Sequence, residues 1–193
     1  MSNVRPHMDQ LKPGHYWKTP FYWERGCPEP PADSQLNFEV ATEEWLRSAI
    51  GRVMEAGTDV SDQYNVPRIG VTAAVQEVFD LLPEYFNRPP NWWLLARNHM
   101  NEAVGFVLPV LFKEARFWRD SSPQGTVLYM GVLPEFRGKD HAVELVHEAT
   151  RLFVGAGCWR IFCDTGTDNT PMIHTFRQAG YMERKPWQRP LSE

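Results

Sequence analysis

The sequence contains few cysteines and no pattern that would join them in a structural site. Only three occur among 193 residues, Cys27, Cys158 and Cys163, and their number is odd. No pair has the spacing of zinc ligands, and the six histidines also lack metal-ligand spacing. We therefore expect free thiols in a reducing compartment and no metal site, which argues against disulfide-rich and zinc-binding domains.

Long apolar runs and an excess of positive charge are also missing. The longest apolar run, from Ala103 to Phe112, is broken only by glycine and proline and is too short to cross a bilayer. The first residues contain no apolar segment of a secretory signal, so we expect a cytoplasmic protein without a membrane partner. A net charge of −4 argues against nucleic acid as the main partner.

Aromatic residues, by contrast, are abundant, with eight Trp, eleven Phe and six Tyr. This exceeds the need of a minimal core, so some are expected to line a pocket or an interface, such as that of a homodimer. Residues 1–35 are rich in proline and aromatic residues and show no period. They predict an extended N-terminal arm that packs on the domain or a second subunit, or that covers a substrate site. Residues 36–193 then form one domain.

Within that domain, strand and helix periods alternate. The predicted order is strand, two helices, three strands, helix, strand, helix and strand, at residues 36–40, 43–56, 71–82, 92–96, 103–113, 126–132, 142–155, 159–164, 171–179 and 184–191. This order predicts an α/β domain with a mixed sheet.

Three further expectations concern a loop and the ends of two helices. Residues 58–70 predict a polar loop in which Asp59 and Asp62 are solvated, because their spacing fits no metal-binding loop. Pro83 is expected to end or bend the second helix. Thr170, followed by a proline, is expected to cap the last helix.

The most informative stretch runs from Thr126 to Phe153. Its first part, up to Val132, is apolar or β-branched almost throughout, as is typical of a strand buried on both faces. After Gly138 the apolar residues recur at helical spacing. Between the two periods lies the turn Arg137-Gly138-Lys139-Asp140-His141-Ala142. Because backbone N–H groups and the positive end of a helix dipole converge at such a turn, it can hold a phosphate.

These residues resemble the signature of the GNAT superfamily of N-acetyltransferases. In that family a strand ends in Val-x-Pro-Glu, and Arg/Gln-x-x-Gly-x-Gly/Ala then opens a helix. The match holds at Val132, Pro134, Arg137 and Ala142, and it departs at Asp140, where the family usually has glycine. The resemblance implies that the turn holds the pyrophosphate of acetyl-coenzyme A and that the strand backbone pairs with the pantetheine arm. Asp140 is a poor neighbour for a diphosphate unless its carboxylate turns back to cap the helix, a role that aspartate fills well.

A later motif resembles the same family. The family has Asn-x-x-Ala, an aromatic residue seven positions after the Asn, and a Gly-Phe or Gly-Tyr pair, and this chain has Asn169, Phe176 and Gly180-Tyr181. The implied fold is a mixed, mostly antiparallel sheet of six to seven strands with about four helices, splayed between the strands at 126–132 and 159–164. The resemblance implies nine coenzyme A-binding residues: Val132, Arg137, Gly138, Lys139, Asp140, His141, Ala142, Asn169 and Phe176.

The positions that this family uses for acid–base chemistry are occupied by other residue types. Where the family has a tyrosine that protonates the departing thiolate, this chain has Phe176, and at the base position early on the fourth strand it has Thr126. Catalysis by positioning a thioester and a neutral amine is one explanation. Polarisation of the thioester carbonyl by backbone N–H groups is a second. A third is another acid–base group near the split, which could be Tyr129, Asp164, Tyr181 or His174. Tyr129 and Asp164 are the candidates, because they lie on the two facing strands.

The sequence thus predicts an acetyl-CoA-dependent N-acyltransferase that transfers an acetyl group directly to an amine. The alternative is a non-catalytic acyl-CoA-binding or regulatory module of the same fold, which the changed acid and base positions would suit. A small amine, an amino acid, a drug and a protein all stay open as acceptors.

Overall fold

The structure, a computed structural model, describes residues 11–57 and 59–191. The first ten residues of the predicted N-terminal arm lie outside this range. Within it, nine strands form one sheet: β1 His15–Glu24, β2 Asn37–Val40, β3 Phe86–Asn87, β4 Leu94–Arg97, β5 Ala103–Phe112, β6 Gln124–Val132, β7 Arg160–Gly166, β8 Met182–Glu183 and β9 Trp187–Pro190. The five α-helices are α1 Glu43–Glu55, α2 Val60–Ile69, α3 Val71–Tyr85, α4 His141–Gly155 and α5 Thr170–Gln178.

The strands lie in the order β2-β4-β5-β6-β7-β1-β8, with β3 also pairing with β5 and β9 with β1. Every paired couple is antiparallel except β6 and β7. A parallel pair needs a long crossover connection, which α4 supplies. The predicted mixed, mostly antiparallel sheet is confirmed, with nine strands instead of six to seven and five helices instead of about four.

The parallel pair β6–β7 separates along most of its length. Ladder pairing joins only residues 124–126 to residues 160–162. Beyond that point β6 pairs with β5, and β7 pairs with β1. The sheet therefore consists of two halves that meet at one end and diverge at the other, as the predicted splay between these two strands requires.

The helices cover the two faces of the sheet. On one face α1 and α3 bury a cluster that includes Leu46, Ile50, Val53, Val75, Val78 and Phe79. On the other face α4 and α5 bury a cluster that includes Leu145, Val146, Ala149, Phe153 and Phe176. Across residues 11–57 and 59–191, no helix combines the length and the apolar character that crossing a bilayer would need.

Strand β1 lies inside the sheet, although its residues belong to the predicted N-terminal arm. It pairs with β7 over seven positions, from Lys18 opposite Gly166 to Glu24 opposite Arg160. Phe21 is fully buried in the core. Residues 15–24 of the predicted extended arm are thus a strand of the sheet, which the sequence analysis did not identify as a strand. A strand with both faces covered does not alternate polar and apolar residues, so it showed no period.

Helix α2 occupies the segment that was predicted to be a polar loop. Asp59 caps it by accepting a hydrogen bond from the Ser61 N–H at 2.9 Å, and Pro67 lies within the helix. The next helix, α3, continues through Pro83 to Tyr85. Of the two expected effects of this proline, an end or a bend of the helix, the end does not occur. Because α2 packs on α1 and α3, and Asp62 and Asp59 are hydrogen-bonded to Tyr129 and Gly166, both carboxylates line the cavity and the expected solvated loop is wrong.

Candidate active site

One cavity of about 630 Å³ follows the gap between β6 and β7. Residues 126–132 of β6 and 162–165 of β7 form its walls, and α2, α3 and α5 contribute further lining residues. Of the eleven site residues predicted from the sequence, all but Lys139 line this cavity: Tyr129, Val132, Arg137, Gly138, Asp140, His141, Ala142, Asp164, Asn169 and Phe176. The structure thus brings the two motifs together on opposite sides of one gap.

The turn before α4 stands at one end of the cavity. Gly138 and Asp140 both have left-handed backbones, with φ of 79° and 57°. Glycine adopts this conformation freely and aspartate tolerates it better than most residues. The Asp140 side chain makes no capping hydrogen bond, so the condition under which this carboxylate would suit a neighbouring diphosphate is not met. Since the first N–H groups of a helix lack intrahelical acceptors, the start of α4 can bind an anion.

The side chain of Arg137 fixes this turn to its neighbours. Its guanidinium donates to the backbone carbonyls of Val132 at 3.3 Å and of Ala56 at 3.2 Å. These bonds join the turn to the end of β6 and to the residue that ends α1. The charge of Arg137 lies beside the cavity, and the same side chain holds the turn in place.

A β-bulge interrupts β6 at the middle of the cavity wall. Leu108 pairs with Tyr129 and Pro109 with Val127, so Leu128 is the extra residue. As a result, Leu128 and Tyr129 both pack against the cluster under α1 and α3. On the opposite edge of β6, the ladder to β7 ends at Thr126, so the backbone groups beyond this residue can bind a ligand in the gap.

The hydroxyl of Tyr129 donates to the carboxylate of Asp62 at 2.7 Å. Burial raises the pKa of Tyr129 well above its usual value, and the adjacent Asp62 raises it further, so the phenol stays protonated. Burial also raises the pKa of Asp62 to about 6, against the opposing effect of the hydrogen bond from Tyr129. Tyr129 is therefore a hydrogen-bond donor at neutral pH, and Asp62 titrates close to neutrality.

Asp164, the other predicted catalytic residue, forms an ion pair with Lys18 at 2.6 Å. Their side chains are 15% and 12% exposed. Burial acts to lower the pKa of Lys18, but the Asp164 carboxylate outweighs it and the pKa is raised above the usual lysine value. The Asp164 carboxylate is thus paired with a charged ammonium at the wall of the cavity.

Asn169 and Phe176 have structural contacts of their own. Asn169 caps α5 through the Met172 N–H and donates to Thr165 Oγ1 at 3.0 Å, so the predicted cap at Thr170 is displaced by one residue. Phe176 stacks on Phe21 with 4.9 Å between ring centroids and is 3% exposed. Both residues reach the cavity while they hold α5 against the sheet.

The model of the acetyltransferase (GNAT) family matches residues 62–181. This range is more than half of the 193 residues. The chain belongs to the GNAT acetyltransferase family. Comparison with curated proteins gave no match.

Solved structures of GNAT proteins share this fold. A GCN5-related N-acetyltransferase from Sphaerobacter thermophilus is 13% identical with a TM-score of 0.57, over 95% of this chain and 54% of that one. This chain thus spans about half the length of that protein. A spermidine N-acetyltransferase from Vibrio cholerae, solved with CoA and spermine, is 14% identical with a TM-score of 0.52, over 79% and 84% of the two chains. An aminoglycoside N-acetyltransferase solved with CoA is 21% identical with a TM-score of 0.51, over 80% and 93%.

Two residues of this GNAT cavity were missed by the sequence analysis. Asp62 was assigned to a solvated loop, although Asp59-Val60-Ser61 is a reasonable helix start with aspartate as the cap. Lys18 was assigned to the arm, and no local pattern links it to a strand more than 140 residues later. Among the residues that the structure describes, no group of three His, Cys, Asp or Glu side chains could hold a metal ion.

Proposed function

We propose that this GNAT protein is an acetyl-CoA-dependent N-acetyltransferase with an amine acceptor. The observation that carries the proposal is the gap between β6 and β7, which runs from an anion-binding turn to a group of buried carboxylates. The CoA pyrophosphate would lie on the N–H groups of residues 138–142. The pantetheine arm would then lie along β6 towards its bulge.

The charges along the cavity suit these two substrates, with the exception of the uncapped Asp140 carboxylate at the turn. Lys139 and His141 belong to the turn, where a diphosphate would bind. Burial, with the nearby Lys139 charge, lowers the pKa of His141, so the turn's attraction for anions rests on its backbone and on Lys139 at neutral pH. Asp59 and Asp62 lie at the α2 side of the cavity and favour a cationic amine. The related proteins solved with CoA include enzymes named for spermidine and for aminoglycosides, which are polyamines.

The reaction would be direct transfer between two bound substrates. A neutral amine nitrogen attacks the thioester carbonyl, the N–C bond forms, and the C–S bond breaks as the thiolate of CoA departs. Positioning the two groups side by side supplies much of the acceleration. Backbone N–H groups at the β6 bulge are suited to stabilise the developing oxyanion.

Calorimetry with CoA, together with thiol release from acetyl-CoA across a panel of polyamines, aminoglycosides, amino acids and peptides, tests the proposal. Lys139→Glu is the variant of choice, because Arg137 also holds the turn through two hydrogen bonds. It places two units of opposite charge beside the diphosphate, so we expect CoA affinity to fall about 5- to 20-fold. Lys185→Glu, at another exposed lysine outside the cavity, is the matched control and should leave affinity within about twofold. Equal effects of the two changes would contradict a phosphate site at the turn.

A second function is favoured by the buried Phe176, which has no proton to give to a departing thiolate. A non-catalytic acyl-CoA-binding module would bind CoA normally and release no thiol with any amine of the panel. Turnover of one amine eliminates this alternative. The homodimer expected from the aromatic content stays a prediction, to be measured by light scattering.

A further inference from the structure

Asp62 differs from Asp59 and Asp164, the two other carboxylates of the cavity that are not exposed, in what surrounds it. Asp164 is paired with Lys18, and Asp59 accepts hydrogen bonds from Ser61 and from the Gly166 N–H. Among the described residues, Asp62 has neither an ammonium nor a guanidinium within ion-pair distance. Its one hydrogen-bond donor in that set is the Tyr129 hydroxyl, which occupies Oδ2.

This arrangement is costly for a purely structural residue. Asp62 is 9% exposed, and a buried carboxylate without a cationic partner opposes folding when it is ionised. A tyrosine hydroxyl can be satisfied by a neutral acceptor, so the hydrogen bond alone does not require a carboxylate. Perturbed acidic groups of this kind, located in a cleft, are frequent among catalytic residues.

The position of Asp62 also suits proton transfer. It lies on the first turn of α2, and it faces β6 at Tyr129, next to the bulge where the gap opens. Oδ2 is held by Tyr129, which leaves Oδ1 for a group in the cavity. The hydrogen bond at Oδ2 thus orients the carboxylate, while Oδ1 is left to accept a proton from a group in the cavity.

We propose that Asp62 is the general base that takes the proton from the acceptor amine, and that Tyr129 is the positioning residue that orients it. This inference rests on the proposed acetyl transfer. The amine lone pair forms the N–C bond, the C–S electron pair leaves on the CoA thiolate, and the ammonium proton passes to Oδ1 of Asp62. Asp62 then returns the proton to solvent or to the thiolate.

The charged groups around Asp62 define its working range of pH. Tyr129 faces it from β6 and Lys18 from β1, and both lower its pKa, whereas burial and the Asp59 carboxylate raise it. The net result is a pKa of about 6, so Asp62 is ionised and able to accept a proton at neutral pH. Below that pH it is protonated and its contribution disappears.

The test compares kcat/KM of the wild type and Asp62→Asn between pH 5 and pH 9, with the amine of the panel that turns over fastest. The ratio of the two values removes the titration of the amine, which is common to both proteins. We expect a ratio of about 100 at high pH, which falls towards one below about pH 6. CoA affinity should be unchanged. Asp80→Asn, an exposed aspartate on α3 outside the cavity, is the matched control and should give a ratio near one throughout.

Tyr129→Phe tests whether the tyrosine hydroxyl orients Asp62 or whether the side chain only supports the fold. Loss of the hydroxyl removes a bond that lowers the pKa of Asp62, so the midpoint of the pH profile should move to higher pH. A merely structural tyrosine would lower the rate without moving the midpoint, which would overturn its positioning role. An Asp62→Asn ratio below about threefold at every pH would overturn the general base alone. Failure of the wild type to acetylate any amine would instead overturn the proposed function, and this inference with it.

Discussion

Replacing Asp62 by asparagine is expected to stabilise the fold at neutral and alkaline pH while it impairs catalysis. The pKa of Asp62 is about 6 in the folded chain, against 3.8 as the ordinary value for aspartate. Below 3.8 both states are protonated and the carboxyl costs nothing. Between the two values the unfolded chain releases its proton while the folded chain keeps it. Above pH 6 both are ionised, and the full cost of the buried charge is present.

The size of the effect follows from the same values. A difference of about 2 pKa units at 1.36 kcal/mol per unit gives a cost of up to about 3 kcal/mol. Asparagine keeps an amide oxygen for the Tyr129 hydroxyl, so the hydrogen bond can persist. For a chain of this size, about 3 kcal/mol corresponds to a rise in Tm of about 6–12 °C at pH 8. The gain should shrink as the pH falls from 6 towards 4.

Thermal unfolding of the wild type and Asp62→Asn across this pH range measures the difference. Asp59→Asn, at the residue that caps the same helix, is the control, and it should lower the stability of the fold where Asp62→Asn raises it. Burial raises the pKa of Asp59, but hydrogen bonds from Ser61 and Gly166 outweigh it and the net pKa is lowered, so this carboxylate stabilises the fold above about pH 4. A variant at Asp62 that is less stable than the wild type at pH 8, or a gain that does not vary with pH, would refute the reasoning.

Two further predictions concern the walls of the cavity. Lys18→Met leaves the Asp164 carboxylate buried without its partner and should lower the free energy of unfolding, measured by chemical denaturation, by about 3 kcal/mol. The double variant with Asp164→Leu should recover most of that loss. Equal stability of the single and double variants would contradict this explanation. Gly131→Ala places a Cβ 2.7 Å from Val53 of α1 and should cost about 1–3 kcal/mol, which Val53→Ala should partly restore. Gly155→Ala, whose new Cβ meets no atom within 4 Å, should be neutral or slightly stabilising, and a similar loss there would refute the steric explanation.

The strand–turn–helix at the centre of the chain was predictable because its signals are local. The apolar run ending at Val132, the positive-φ glycine at 138 and the helical stripe after it all lie within 30 residues. The spacing to Asn169 then predicted which strand faces β6. The divergence of these two strands, which creates the cavity, came from the family resemblance and not from any local pattern.

The remaining parts of the site depend on contacts that no local pattern reports. Strand β1 is recognisable only beside β7, and its Lys18 acquires a role through a residue far along the chain. Helix α2 carries few apolar residues and an internal Pro67, so its weak periodicity predicted a loop. The pKa of Asp62 depends on this packing and on the bulge that aims Tyr129 at it.

The pairing of β1 also sets an order for folding. Strands β4, β5 and β6 pair with neighbours that follow one another in the chain, so only short loops must close to form these pairs. By contrast β1, which lies near the start of the described residues, pairs with β7, β8 and β9, which lie near their end. Loop closure over such a separation is slow, so we expect this pairing to form late in folding. The gap that would hold CoA then lies between a half of the sheet whose strands pair with near neighbours in the chain and a half that is joined through the distant β1.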